Sequence, residues 1–451
     1  MGGPDEEAAL VPLFVSRRVA VVAAGVEGVS VGSNGYDLDL GRATSSLPVR
    51  PVLPAPGVAA AATAAGAPAP AAVPGPSAPP VAKEPRDGEV PLGSESGWNA
   101  SLVLDNAGTG VWNVASHKVF ARLGCPEVVG LDDKGRCIVL TSYSGRWTPI
   151  ECLSDGKWLG GLAHADLDPD VDGKELYTGG EKGNVYELVP NPNGVIEERL
   201  LVSLPGQAVN ILVAGELDAS LPGPELLAFT WPDGLYVLKR TGKGGRFEVA
   251  RKDPTPERVR DALVLPAAPG AVPEVVTASR NGRLSSLRIH ADRVEWTTIH
   301  AEPMGMGRVA MAPRRDGAPL VLYTCLDDGR VLRHERGAGG AWAAETVYLG
   351  PQGARGLAAG RFHEDPAVES VAVFGYSGRV EVLSRPPGGR WSVETVFHDR
   401  DKGHWLATAE LDGRNGTEEL LAAGYGGRIV LLARPPGYGR TEVADPEARG
   451  R

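Results

Sequence analysis

The stretch SGRVEVLSRPPG at residues 377–388 returns 49 residues later as GGRIVLLARPPG at residues 426–437. Both copies have a glycine ahead of an apolar, strand-like run, and both end in a Pro-Pro-Gly turn. Glycines that open such runs recur at intervals of 47 to 51 residues. A regular period of this length indicates a repeat architecture. The seven positions are Gly135, Gly183, Gly234, Gly282, Gly329, Gly378 and Gly427.

Other features keep the same register. A glutamate stands eight or nine residues ahead of most of these glycines and begins an apolar run that predicts another strand. The fifth unit has Ala318-Pro319 in its place. A run with Arg, Trp and Glu follows the glycine-led strand, and a small-residue run leads into the next unit. The glutamates are Glu127, Glu175, Glu225, Glu274, Glu369 and Glu419.

Four short strands per unit predict an all-β fold, a seven-bladed β-propeller of four-stranded antiparallel blades. A closed ring protects strand edges that an open array would expose. The last unit keeps an outer strand at Arg440 to Val443, so any strand that seals the ring must come from Asn99 to Val114.

The chain divides by composition into three regions. Residues 1–48 have no clear period and are expected to be poorly ordered, the alternative being a small structured element. Residues 49–97 include the Ala/Pro-rich tract Pro51 to Val81, which predicts an extended tether. Residues 98–451 form the propeller. The N-terminal region that precedes the propeller is therefore predicted to be disordered.

A formal charge of −10 argues against a general nucleic-acid or anionic-membrane binder. Leu10 to Val31 is interrupted by charges, so no transmembrane segment is expected. Asp5, Glu6 and Glu7 stand where a secretory signal would be basic, so no clear signal peptide precedes the chain and its localisation stays open.

The second unit reads ADLDPDVDGKEL at residues 165–176, and residues 409–420 are a weaker copy. This acidic loop resembles the FG-GAP or VCBS type of propeller repeat. The resemblance implies the propeller fold and slightly favours an extracytoplasmic location. It leaves function open, because such propellers serve as adhesion modules, lectin-like domains, lyases and spacers.

The same loop is a candidate calcium site. Calcium takes six to eight oxygen ligands, often from carboxylates at alternate positions of a flexible loop. The candidate ligands are Asp168, Asp170, Asp172 and Glu175. The alternative is an acidic turn whose carboxylates accept hydrogen bonds from backbone amides.

Cys137 and Cys152 are a candidate disulfide pair. A two-residue turn centred on Ser144-Gly145 would pair residues 141 with 148, 139 with 150, and 137 with 152. The alternative is two buried, reduced thiols.

Alignment of the innermost strands brings Asn210, Arg260, Arg355 and His404 to one position, with Arg308 and Lys118 within about a residue of it. That position lies at one end of a propeller's central channel. Arg, Asn and His there suit an anionic or polyhydroxyl ligand. The alternative is a water-filled channel mouth that tolerates any polar residue.

Four tryptophans recur on the outer strand of different units, which favours packing between blades over a sugar-stacking platform. They are Trp147, Trp296, Trp342 and Trp391.

The sequence lacks the common hydrolase, zinc-protease and P-loop motifs. We therefore expect a non-enzymatic binding or scaffolding propeller that recognises a glycan, a small anion or a protein at its channel mouth or top face. The alternative is a carbohydrate-active lyase or hydrolase that uses the central funnel.

Overall fold

The computed structural model describes residues 90–434 and four two-residue strands of the N-terminal segment. No helix among the described residues is long and apolar enough to cross a membrane. Within 90–434 the description leaves out residues 121–125, 143–145, 169, 172–173, 192–193, 219, 222, 233, 242–245, 268–270, 272, 315–316 and 412–415.

Residues 1–77 form a compact unit of their own, and residues 78–451 form the other. Strands β1 (Phe14–Val15) and β2 (Arg18–Val19) pair antiparallel in the first unit, as do β3 (Ser30–Val31) and β4 (Leu38–Asp39). The predicted regions 1–48 and 49–97 otherwise lie mostly outside the described residues.

Six four-stranded antiparallel sheets of successive strands and a seventh, five-stranded sheet confirm the predicted seven-bladed propeller. Blades 1 to 3 comprise β7 (Val111–His117), β8 (Glu127–Asp132), β9 (Arg136–Thr141), β10 (Thr148–Ser154); β11 (Leu159–Ala165), β12 (Glu175–Gly180), β13 (Asn184–Pro190), β14 (Ile196–Ser203); β15 (Ala208–Gly215), β16 (Glu225–Trp231), β17 (Gly234–Arg240), β18 (Phe247–Pro254). Blades 4 to 6 comprise β19 (Val259–Leu265), β20 (Glu274–Ser279), β21 (Arg283–Ile289), β22 (Val294–Ala301); β23 (Met306–Met311), β24 (Leu320–Leu326), β25 (Arg330–Arg336), β26 (Trp342–Leu349); β27 (Ala354–Ala359), β28 (Glu369–Gly375), β29 (Arg379–Arg385), β30 (Ser392–His398).

The seventh blade is completed from the other end of the chain. It consists of β31 (Gly403–Ala409), β32 (Glu419–Gly424) and β33 (Arg428–Ala433), with β6 (Trp98–Asp105) as fourth strand and β5 (Val90–Glu95) as fifth. The ring therefore closes with a strand from ahead of the first unit. The predicted outer strand at 440–443 lies outside the described residues. Strand β5 falls within the predicted linker, so the folded region begins earlier than residue 98.

The core lies mainly between blades, where the apolar faces of neighbouring sheets meet. The inner strands contact one another in sequence, and β31 contacts β7. Each of the four recurring tryptophans, Trp147, Trp296, Trp342 and Trp391, packs at the edge of one of these clusters. Their role in packing between blades is what the sequence predicts.

The recurring glutamate fastens the loop that joins the first two strands of a blade. In blade 1 the Glu127 Oε2 accepts hydrogen bonds from the N–H groups of Val119 (2.7 Å) and Phe120 (3.2 Å). Glu175 and Glu225 make the same two bonds in blades 2 and 3, and Glu419 bonds the N–H of Leu411 in blade 7. We call this arrangement the glutamate clamp.

Three consecutive blades depart from this clamp. In each blade, the clamp position is the residue of the second strand that pairs with the last residue of the inner strand or with the residue just after it. Glu274 holds this position in blade 4, but the residue eight positions earlier is Pro266, which has no N–H to donate. The position is occupied by Val321 in blade 5 and by Ser370 in blade 6. Glu369 precedes this position by one residue, so its sequence match to the other glutamates is out of register.

The first-blade hairpin follows the predicted register only in part. Ile150 pairs with Val139 as expected, but a β-bulge between Glu151 and Leu153 places Leu153 opposite Cys137. Cys152 is the skipped residue, so the predicted 137–152 pairing is corrected. Both cysteines are free thiols on adjacent strands. Burial raises the pKa of both, that of Cys152 to about 12, which disfavours the reactive thiolate.

Candidate functional site: the channel mouth

Every inner strand carries a β-bulge near its start. A bulge re-aims the extra side chain, and the symmetry of the propeller gathers equivalent positions around the channel. We call these seven residues the bulge ring. They are Trp112, Gly160, Asn210, Arg260, Gly307, Arg355 and His404.

A second set of residues lies at the same end of the blades, in the turn two residues before each repeat glycine. In six blades its backbone N–H donates to a carbonyl just ahead of that blade's inner strand. Pro232 holds the position in blade 3. We call this set the turn ring: Asp133, Glu181, Pro232, Arg280, Asp327, Tyr376 and Tyr425.

Asp327 of the turn ring binds two arginines of the bulge ring. Its carboxylate accepts hydrogen bonds from Arg260 Nη1 at 3.0 Å and forms an ion pair with Arg355 Nη1 at 3.0 Å. Arg355 is buried, with 5% of its surface exposed. One carboxylate therefore serves two guanidinium groups in a poorly hydrated place.

Arg308 follows the bulge of its strand and lies across the channel. Its guanidinium carbon is 3.9 Å from the ring centre of Trp405, and its Nη1 donates to the carbonyls of Arg260 and Gly307. Trp405 packs against apolar clusters of blades on opposite sides of the ring. The stacked pair therefore lies within the channel, below the mouth.

Asp261 is the carboxylate nearest to Arg308 in electrostatic terms. Burial raises its pKa to about 6, although the charge of Arg308 and the N–H groups of Val309 and Ala262 act in the opposite direction. Both carboxylate oxygens accept from those two backbone N–H groups at 3.0 Å. Asp261 therefore holds backbone in place.

Aromatic rings surround His404. The ring centroids of Trp112 and Tyr425 each lie 4.8 Å from that of His404, and Trp158 stacks on Trp112 at 5.6 Å. The hydroxyls of Tyr376 and Tyr425 are 3.4 Å apart. Burial, followed by the charges of Arg308 and Arg355, lowers the pKa of His404 well below its usual value, so its imidazole is neutral.

Four buried nitrogens of this cluster make no hydrogen bond of good geometry with the described residues, although Tyr376 interacts with the Arg355 side chain and the backbone of Val111 and Trp112 with that of His404. They are Nε and Nη2 of Arg355, Nε of Arg308 and Nδ1 of His404. An unpaired buried donor is costly, and more so when it carries charge. Three arginines face two carboxylates here, Asp261 and Asp327. The cluster therefore has the buried donors to receive an anion, while Asp133 and Glu181 of the turn ring add negative charge at the same end of the channel.

The structure brings Asn210, Arg260, Arg355 and His404 to equivalent positions, with Arg308 one residue further. Lys118 lies beyond the far end of β7, so its expected place in the set is wrong and Trp112 takes it. Asn210 Nδ2 donates to the carbonyl of Val259 in the next blade at 3.4 Å. Its amide therefore joins blades.

The sequence indicates that Trp158 and Trp405 lie near the starts of inner strands, where they can reach the channel. It did not reveal Trp112, Tyr376 and Tyr425 or the role of Asp327. Asp166, Glu216 and Glu410 follow the other end of the inner strands, so they lie at the opposite end of the blades from these arginines. The repeat register carried a usable signal, because Asp327, Tyr376 and Tyr425 all stand two residues before a repeat glycine.

Two of the four candidate calcium ligands, Asp168 and Glu175, already have partners in the contacts that the structure describes. Asp168 Oδ2 pairs with Arg240 at 3.0 Å and Arg199 at 3.4 Å, while its Oδ1 accepts the N–H of Asp170. Glu175 Oε2 is occupied by the clamp. No cluster of three acidic, His or Cys side chains suited to a metal occurs among the described residues, and Asp172 lies outside them.

Solved structures share this fold. BBS1N, crystallised in complex with ARL6DN and soaked with mercury, is 12% identical and covers 78% of this chain and 98% of its own, with a TM-score of 0.53. A lead-soaked crystal of the same complex gives a TM-score of 0.52. The WD40 β-propeller domain of Doa1 is 13% identical, covers 76% and 97%, and gives 0.52.

Identities this low show the fold alone. No protein-family model matches the sequence, and no curated protein matches it significantly. The FG-GAP or VCBS repeat type therefore stays a prediction, whereas the propeller itself is established by the seven sheets and by these neighbours.

Proposed function

We propose that this chain is a non-catalytic binding propeller whose channel mouth takes a small ligand that carries a carboxylate or phosphate group. The supporting observation is the set of buried nitrogens on Arg308, Arg355 and His404 that make no hydrogen bond of good geometry with the described residues. Guanidinium groups bind such oxyanions with paired, directional hydrogen bonds.

The surroundings favour a ligand with a planar or apolar part beside its charged group. Trp112 and Trp158 are half-buried, and their stacked rings border the arginine cluster. Aromatic faces of this kind receive sugar or aromatic rings. An acidic sugar therefore combines both features, and a protein partner would reach the same place with an acidic side chain.

Binding is favoured over catalysis by the state of the titratable groups. A general acid or base needs a pKa near the working pH and access to substrate. Asp261 has such a pKa but is bound to backbone N–H groups, and Asp327 is paired with two arginines. Burial raises the pKa of Tyr425 well above its usual value, so the phenol stays protonated and the phenolate that a general base requires is not populated.

Titration of the full chain with phosphate, glucuronate and glucose, followed by tryptophan fluorescence and calorimetry, tests this proposal. We expect saturable binding of phosphate or glucuronate but not of glucose. Arg355→Lys keeps the charge but loses Nε and the guanidinium fork, so affinity should fall about tenfold or more. Arg390→Gln, an exposed cation elsewhere, is the matched control.

Equal binding of glucose and glucuronate would contradict the anion and favour a neutral glycan. No saturable binding of either anion would contradict the proposal altogether. Release of a new unsaturated or shortened sugar from an oligouronate would favour the lyase or hydrolase alternative.

A further inference from the structure

We propose a second, independent binding site on the face opposite the channel mouth, where blades 4 to 6 lack the glutamate clamp, for a small amphipathic carboxylate. A cavity of about 290 Å³ opens there. Its wall includes Pro266, Val321 and Ser370, which are the three residues that break the clamp in blades 4, 5 and 6.

Loss of the clamp explains the position of the cavity. In clamped blades a carboxylate fills the space beneath the loop and binds the loop's N–H groups. In blade 5 the shorter, apolar Val321 cannot bond these groups. In blade 6 the carboxylate of Glu369 instead pairs with Arg333 and Arg385, both at 2.7 Å. The space beneath the loops of blades 5 and 6 is therefore not filled by a clamp.

Apolar side chains line much of this cavity, together with the polar residues Arg333, Glu369 and Ser370. Leu320 and Val321 line it together with prolines from two loops. The Ser370 side chain is 2% exposed, and its hydroxyl oxygen has no hydrogen-bond partner among the described residues. A buried hydroxyl left unpaired costs free energy, so a ligand oxygen that bonds to it is favoured.

The rim of the cavity is cationic. Arg314 and Arg361 are exposed and line it, and neither guanidinium forms an ion pair with any residue that the structure describes. The buried Arg333 also lines the cavity, but it is neutralised by Glu369. The two exposed arginines therefore give the rim positive charge, beside the Glu418 carboxylate that accepts the backbone N–H of Arg361 at 2.6 Å.

These features identify the occupant by charge and size. A volume near the lower end of the range for ligand pockets, about 300–1,000 Å³, suits a short molecule. The apolar side chains suit an aliphatic tail, and the arginine rim suits one carboxylate. Octanoate is therefore a fitting probe, and octanol is its uncharged counterpart of the same length.

Calorimetric titration of the full chain with octanoate and octanol tests the site. We expect saturable binding of one octanoate, and binding of octanol at least about tenfold weaker. The double variant Arg314→Gln with Arg361→Gln should weaken octanoate binding about tenfold and make it less sensitive to salt. Arg390→Gln should leave it unchanged.

A second variant separates occlusion from charge. Ala318 is exposed at the cavity wall, so Ala318→Trp should fill the space without disturbing the core and should abolish octanoate binding. Saturating phosphate should not displace octanoate, because phosphate is expected at the opposite face. Unaltered octanoate affinity in Ala318→Trp, equal affinity for octanol, or no octanoate binding would each overturn the proposal.

Discussion

The glutamate clamp gives a prediction whose magnitude follows from its contacts. Replacement of Glu127 by Ala removes the acceptor of two hydrogen bonds, from the N–H groups of Val119 and Phe120, which are 3% and 8% exposed. The N–H of Val119 still donates to the carbonyl of His117 at 3.0 Å, so only the Phe120 N–H is left unpaired. A buried donor left unpaired costs about 1–3 kcal/mol of unfolding free energy.

Replacement by Gln should behave differently. Burial raises the pKa of Glu127, although the backbone N–H groups act in the opposite direction, so its charged form is disfavoured in the folded protein. Gln keeps one carbonyl acceptor for the two N–H groups and carries no charge. We therefore expect Glu127→Gln to retain most of the stability that Glu127→Ala loses.

The pH dependence separates these effects. Because the folded pKa lies above the unfolded value, the folded state binds more protons between the two, and the contribution of Glu127 to stability falls as pH rises through that window. Wild type should therefore gain stability relative to Glu127→Gln as pH is lowered from neutrality.

Urea unfolding monitored by tryptophan fluorescence measures all three proteins. Glu248→Ala, at an exposed position of β18, is the control and should change stability by less than about 0.5 kcal/mol. An effect of Glu127→Ala as small as that of the control would refute the clamp as a stabilising contact.

Two further predictions concern titration and metal. Burial, mutual repulsion and Lys174 lower the pKa of His117 to about 3, and burial and Lys174 lower that of His164 to about 4. The unfolded chain therefore binds more protons than the folded chain below about pH 6.5, so the free energy of unfolding should fall from pH 7 to pH 5. The fall should be smaller in a variant with Gln at both His117 and His164. An equal fall in that variant would contradict the role of these histidines. If calcium is not held by Asp168, Asp170, Asp172 and Glu175, chelation should leave the melting temperature unchanged. The substitution Asp170→Ala should then leave it unchanged as well. A lower melting temperature on chelation would favour a calcium ion bound in this loop.

The bulge ring shows how far sequence alignment reaches. Equivalent positions in a repeat are equivalent in space, so the shared alignment of Asn210, Arg260, Arg355 and His404 placed them correctly at one end of the channel. The alignment missed Trp112, because the first unit has no preceding repeat against which to fix the start of its inner strand. It also placed Lys118 where the strand has already ended.

Hydrogen-bond register is the point at which sequence inference failed. Glu369 matches the other glutamates by distance from its glycine, yet it lies one residue away from the clamp position that Ser370 occupies. The predicted pairing of Cys137 with Cys152 is wrong for the same reason, because one β-bulge shifts the register of their hairpin. A bulge changes the ladder by one residue without any necessary change in composition.

The sequence by itself determined the number of blades, the order of the strands within each unit and the apolar faces between blades, and it limited any closing strand to the segment from Asn99 to Val114. These follow from period and local pattern, which each unit carries within itself. Only the tertiary structure decided that Asp327 pairs with two arginines, that His404 is enclosed by aromatic rings and that three failed clamps meet at one cavity. Such contacts join residues of different blades, and their energies depend on burial and on single-residue register, neither of which is a property of any one repeat.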